Sequence, residues 1–209
     1  MKAQWYFDFI SPFSYLQLPK LREWRTRLDI TPIPIAFGAL LAHNGNLGPA
    51  EIPGRREFTY RFVQWQADAA GIPLRFPPAH PFNPLAALRL CIAAGSSWVA
   101  IEAIFNHLWR DGRAGVNALQ LRDVGTAIGV VDVEKAIDTP EVKLQLRANT
   151  DAAISAGVFG VPTLRMNGEL FWGNDASPMV EDWLSNPLRF DSDEYRRIAA
   201  LPVEVQRKR

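Results

Sequence analysis

Hydrophobic positions crowd the very start of the chain. In residues 5–10, Trp5, Tyr6, Phe7, Phe9 and Ile10 surround the single charge of Asp8, a pattern that predicts a buried strand. The run breaks at Ser11-Pro12-Phe13-Ser14. Ser is a favoured helix N-cap and Pro is favoured at the first helical position, so two independent rules start a helix there. Tyr15, Leu18, Leu21 and Trp24 then recur every three residues and carry the helix to about residue 25, with a kink expected at Pro19. A second short strand is predicted over residues 30–35. The chain therefore opens as strand, helix, strand.

From residue 36 the regularity fades. Gly38, Gly45, Asn46, Gly48, Pro49, Pro53 and Gly54 predict a long loop. It gives way to a helix whose apolar face is Phe58, Phe62, Trp65 and Ala69, at i, i+4, i+7 and i+11. Pro77-Pro78 and His80-Pro81-Phe82-Asn83-Pro84 mark a second loop, stiff enough to suggest a functional connection. Helices are predicted over residues 86–94, 98–108, 118–127, 133–137 and 141–156. Trp65, Trp98 and Trp109 fall on helices and are expected in the core. Val158-Phe159-Gly160-Val161-Pro162-Thr163 then leads to a short strand at residues 164–166, the turn Asn167-Gly168 and a partner strand at 170–172. Asn-Gly between two apolar runs is the strongest hairpin signal in the chain. A last helix is predicted over residues 178–184, followed by a solvated tail. The expected organisation is one domain formed by residues 1–36 and 157–209, interrupted by a helical insertion at 37–156.

Composition narrows the function. The 209 residues are 48% hydrophobic, with 23 Lys and Arg against 22 Asp and Glu, which suits a folded globular protein. A net charge of +1 without a basic stripe argues against nucleic acid, whose phosphates demand clustered cations. The start has no cationic segment followed by an apolar run, and no stretch approaches the roughly 18 apolar residues that a bilayer requires. A cytoplasmic protein with a small-molecule substrate and no membrane partner is the expectation. Cys91 is the single cysteine, so no intramolecular disulfide can form, and its apolar neighbours predict a buried, inert thiol. His43, His80 and His107 lack ligand-like spacing, and no metal site is expected.

Three motifs, in order and at consistent separations, add a resemblance. Asp8-Phe9-Ile10-Ser11-Pro12-Phe13-Ser14-Tyr15-Leu16, Gly160-Val161-Pro162-Thr163 and Trp172-Gly173-Asn174-Asp175 resemble the 2-hydroxychromene-2-carboxylate isomerase and kappa-class glutathione transferase family, to about residue 184. Gly45-Asn46 with Pro49, and Gly71-Ile72-Pro73 through Phe82-Asn83, stand where that family has similar residues. The resemblance implies an α/β thioredoxin-like fold, with β-α-β and β-β-α halves interrupted by helices as in DsbA. It also implies glutathione as cofactor, and a homodimer as a state open to the chain.

Where thioredoxin-like oxidoreductases carry Cys-x-x-Cys, this chain carries Ser11 and Ser14. A hydroxyl cannot form a disulfide, so dithiol redox chemistry is excluded there. A helix N-terminus still favours an anion, and Ser11 could donate its hydroxyl hydrogen to a thiolate and lower a thiol pKa that starts near 8.5. The resemblance makes Ser11 the catalytic residue contacting the glutathione sulfur; the plain reading makes it an N-cap. It also implies a cis Pro162 facing the helix start, which would leave the Val161 backbone able to pair with an extended peptide ligand. In Trp172-Gly173-Asn174-Asp175, Asp175 could bind an α-ammonium and Asn174 a carboxylate, although either could instead cap the last helix. Asn46 and Arg55, or Arg56, match positions that anchor the glycine end of glutathione. Arg replaces the usual Lys there, and can pair bidentately with a carboxylate. Phe82 and Asn83, with His80, could line the substrate side.

The implied reaction is opening of 2-hydroxychromene-2-carboxylate to trans-o-hydroxybenzylidenepyruvate, with glutathione returned unchanged. A kappa-type transferase or peroxidase that consumes glutathione shares the same binding motifs. A noncatalytic thioredoxin-fold binding protein is the reading from another class.

Overall fold

The computed structural model describes residues 1–205. Its sheet has four strands: β1 (Lys2–Phe7), β2 (Asp29–Pro34), β3 (Thr163–Met166) and β4 (Glu169–Trp172), in the order β2-β1-β3-β4. β1 is parallel to β2 and antiparallel to β3, and β3 is antiparallel to β4 across the Asn167-Gly168 turn. α1 (Pro12–Trp24) crosses from β1 to β2. Between β2 and β3 the chain is helical: α2 (Phe37–His43), α3 (Arg55–Ala70), α4 (Leu85–Ala93), α5 (Trp98–Phe105), α6 (Ala118–Ala127), α7 (Val133–Asp138) and α8 (Pro140–Ser155). This is the thioredoxin-like arrangement with interposed helices that the sequence predicts. Two compact units divide the chain by contacts, residues 1–174 and 175–209; the second carries α9 (Ser177–Ser185) and α10 (Asp193–Ala199).

β1 is central, so both of its faces need apolar residues. On one side Trp5 stacks on Phe7 with centroids 4.3 Å apart, and Phe7 meets Phe9 edge-on at 5.4 Å. Phe105 of α5 closes this cluster, 4.6 Å from Phe9. On the other side Tyr6 packs with Ile35, Leu40, Ala153, Val158 and Val161. Pro32 and Pro34 sit in β2 because it is an edge strand, where a missing N–H breaks no ladder bond.

Several elements depart from the sequence-based expectation. β1 ends at Phe7, where its pairing with Pro34 ends, so residues 8–10 leave the sheet instead of extending it. α1 continues through Pro19 to Trp24. α2 forms where a loop is predicted, and α10 where a tail is. In α3 the buried positions are Val63 and Ala67, while Phe58 and Trp65 are 67% and 63% exposed. Small residues fit the close contact, so Trp65 is a surface residue and not a core one. α5 widens into a π-helical turn, Asn106–Arg110, which carries Trp109 inward.

Among the described residues no helix is long and apolar enough to cross a membrane, and no group of three His, Cys, Asp or Glu side chains could hold a metal ion. Cys91 lies buried in α4, and burial pushes its thiol up to about 12. A thiol reagent at pH 8 is therefore expected to leave native Cys91 unmodified and to titrate one thiol per chain once urea unfolds it. Fast modification of the native protein would contradict this burial.

Candidate active site

The segment that leaves the sheet after Phe7 sets the site. Ser11 caps α1, its Oγ accepting from the Ser14 N–H at 3.3 Å. The same Oγ lies 3.5 Å from the Val161 carbonyl oxygen, so the start of α1 faces the loop before β3. That loop contains the cis bond Val161-Pro162. Ser11 is 7% exposed. Pro12 has no N–H to offer, and the Phe13 and Val161 N–H groups have no hydrogen-bond partner among the described residues. Ser14 is fully buried and its Oγ also lacks a partner. The start of α1 thus carries an open Phe13 amide, a capping hydroxyl and an orphaned buried hydroxyl, with the open Val161 amide on the facing loop, and a helix N-terminus favours an anion.

Two peptide units precede Ser11, and each is held at both edges. Asp8 is buried; its Oδ1 accepts from the Ile10 N–H at 3.0 Å and its Oδ2 from the Phe37 N–H at 2.9 Å. Burial raises the Asp8 carboxyl to about 7 against the pull of these N–H donors. The Ser11 N–H donates to the Asp8 carbonyl at 3.1 Å. On the carbonyl side, the Trp109 indole donates to Phe9 O at 2.8 Å and His80 Nε2 stands 2.9 Å from Ile10 O. Burial lowers the His80 pKa, which favours a neutral ring. The sequence marks Asp8 only as part of a motif and His80 only as a lining residue. A lone Asp ending an apolar strand was the available signal for Asp8; nothing local signals Trp109.

The third motif joins the same region. The Gly173 N–H donates to Pro162 O at 2.8 Å, and Gln17 of α1 donates to Gly173 O at 3.3 Å while accepting from the Trp5 indole at 2.8 Å. Asn174 Nδ2 reaches Gln66 Oε1 of α3 at 3.2 Å. Trp172 is half-exposed, with its ring 5.2 Å from that of Phe159, and a Cβ at Gly160 would collide with its indole. Asp175 is exposed in the 3-10 turn that begins with Asn174. α3 meets the Ser11 turn where Phe62 approaches Phe13, 6.3 Å between centroids. Arg55 lies at the exposed first position of α3, two turns earlier, without an ion pair among the described residues; Arg56 instead donates to Ala50 O at 2.5 Å. Asn46 is exposed in the turn after α2. Phe82 packs on His80 and Trp109. Asn83 accepts from the Leu85 N–H at 3.0 Å and faces a cavity of about 690 Å³ shared with Arg89 and Lys135.

The sequence profile described as a DSBA-like thioredoxin domain matches residues 4–185. The chain belongs to this family. Within it, this DSBA-like protein is 31% identical over 196 residues to a 2-hydroxychromene-2-carboxylate isomerase of Pseudomonas sp. (strain C18), covering 86% of this chain and 88% of the relative. It is 27% identical over 211 residues to glutathione S-transferase kappa 2 of Caenorhabditis elegans, covering 90% and 93%. A solved 2-hydroxychromene-2-carboxylate isomerase superposes with a TM-score of 0.73 at 27% identity, over 93% of this chain and 99% of that one. The resemblance drawn from the three motifs is thus found again over nearly the whole chain.

Proposed function

We propose that this DSBA-like protein is a glutathione-dependent isomerase of the 2-hydroxychromene-2-carboxylate type. The observation that carries the reading is the Ser11 turn: a hydroxyl, not a thiol, at a helix start with open Phe13 and Val161 amides beside it. The remaining thiol, Cys91, is buried in α4. The isomerase and transferase relatives support the same choice. Bound there, glutathione would supply a thiolate that both adds to an unsaturated ring carbon and leaves again, which permits rotation about the transiently single bond.

In this reading Ser11 donates its hydroxyl hydrogen to the sulfur, and the Phe13 N–H and the α1 dipole add to the stabilisation. The Val161 N–H and C=O pair with the ligand's extended backbone beside Pro162. Asn174 takes the γ-glutamyl carboxylate and Asp175, next in the chain, its ammonium, with Trp172 and Gly173 framing that end. Asn46 and Arg55 take the glycine carboxylate. Phe82 and Asn83 line the substrate side.

The likeness to a kappa transferase favours a second reading, in which glutathione is consumed. Turnover of 2-hydroxychromene-2-carboxylate, followed with and without glutathione while total free thiol is assayed, separates the two. The isomerase requires glutathione and leaves its amount unchanged, whereas a transferase depletes it against an electrophile. Equal turnover without glutathione overturns the proposal.

A further inference from the structure

His80 does not line the substrate side as an open ring. It stands among the rings of Tyr60, Phe76, Phe82 and Trp109, with centroids 5.3, 6.1, 6.1 and 5.4 Å away. Both of its nitrogens are engaged. Nε2 lies 2.9 Å from Ile10 O, which can only accept, so Nε2 must carry the hydrogen. Nδ1 lies 2.9 Å from the Tyr60 hydroxyl, whose single hydrogen can go to Nδ1 or to His80 O, 2.6 Å away, but not to both. Tyr60 thus fixes the ring's orientation from behind. Ile10 O and Ser11 N belong to one peptide plane, and Asp8 O holds the other edge of that plane at 3.1 Å. The direction in which Ser11 projects its Oγ follows from this plane.

We infer that His80 is a positioning residue: by donating from Nε2 to Ile10 O, with its ring held in place by the Tyr60 side chain, it locks the Ile10–Ser11 peptide so that the Ser11 hydroxyl points at the bound sulfur. The link to the sulfur rests on the proposed glutathione reading; the lock itself does not. Loss of one such hydrogen bond is expected to matter about tenfold.

The test has an arm for each. In the ligand-free protein, 15N spectra of the imidazole should show Nε2 protonated. Amide exchange at Ile10 and Ser11 should rise about tenfold in His80→Ala, less in His80→Gln, which keeps a donor, and not at all at the α4 amides. With glutathione, His80→Ala should lower the bound thiolate fraction at pH 7 about tenfold while affinity for S-methylglutathione, which has no thiol, is unchanged. His80→Gln should restore part of that loss. A ring without a hydrogen on Nε2, unchanged exchange at Ser11, or exchange that rises equally across the core overturns the lock. A wild type that binds no glutathione overturns the functional reading alone. A normal lock with an unaltered bound thiolate in His80→Ala overturns the link between them.

Discussion

Ser11→Ala is expected to cut the thiolate fraction of bound glutathione at pH 7 by about 10- to 100-fold and to lower kcat by a similar factor. A hydrogen bond to a charged acceptor contributes about 1.5–3 kcal/mol, which is roughly one to two pK units on the bound thiol. Affinity should change little when the ligand is S-methylglutathione, because the Val161 backbone and the α1 dipole remain. The variant also loses the cap bond to the Ser14 N–H, so its unfolding free energy should fall by about 1 kcal/mol. Thiolate absorbance near 240 nm across a pH series, calorimetric affinity and a urea curve measure the three effects separately. A bound-thiol pKa that is the same in Ser11→Ala and wild type would remove Ser11 from the catalytic role. The cap would then be its whole function.

The second large effect concerns Asp8 and stability. Its folded pKa is raised by burial from 3.8 to about 7. Below about pH 4 the carboxyl is protonated whether the chain is folded or not, and it costs nothing. Between pH 4 and 7 the unfolded chain gives up this proton while the folded chain keeps it, so stability falls as pH rises; above pH 7 the loss is complete. A separation of about three units corresponds to about 4 kcal/mol. Asp8→Asn cannot titrate. It also turns an amide group toward the N–H of Ile10 or Phe37, so it should be less stable than wild type at pH 4. The gap between the two should then shrink by about 4 kcal/mol by pH 8. Urea unfolding of both proteins at pH 4, 6 and 8 tests this. A gap that stays constant with pH, or widens, would mean that Asp8 is charged in the fold from pH 4 upward.

The neighbouring residues explain why a charge-capable group is kept in such a place. Asp8 ties the Ile10 N–H to the first N–H of α2, so one carboxyl joins the Ser11 turn to the start of the helical segment. Trp109 and His80 reach the same turn from that segment's later helices and loop. The rigidity of the turn is therefore supplied mostly by residues far from it in sequence.

What the sequence determined by itself was local. Ser11 followed by Pro12 started α1, Asn167-Gly168 made the β3-β4 hairpin, and the apolar run that begins at Trp5 marked a buried strand, although the strand lies at residues 2–7 and not at the predicted 5–10, because caps, turns and periodicity act within a few residues. The resemblance carried by three short motifs located the Ser11 turn, the Pro162 loop and the Trp172–Asn174 strand end, which the fold brings into one hydrogen-bonded region. Tertiary structure decided the rest. α2 starts where glycine suggested a loop because an N–H at its first turn finds Asp8, 29 residues earlier. α3 turns Val63 and Ala67 inward and leaves Phe58 and Trp65 outside, since periodicity records how apolar a face is and not how closely its neighbour approaches. The raised pKa of Asp8, the engagement of both His80 nitrogens and the inward turn of Trp109 depend on partners up to 100 residues away. Only the packed chain creates the low dielectric and the hydrogen-bond partners that give those side chains their roles.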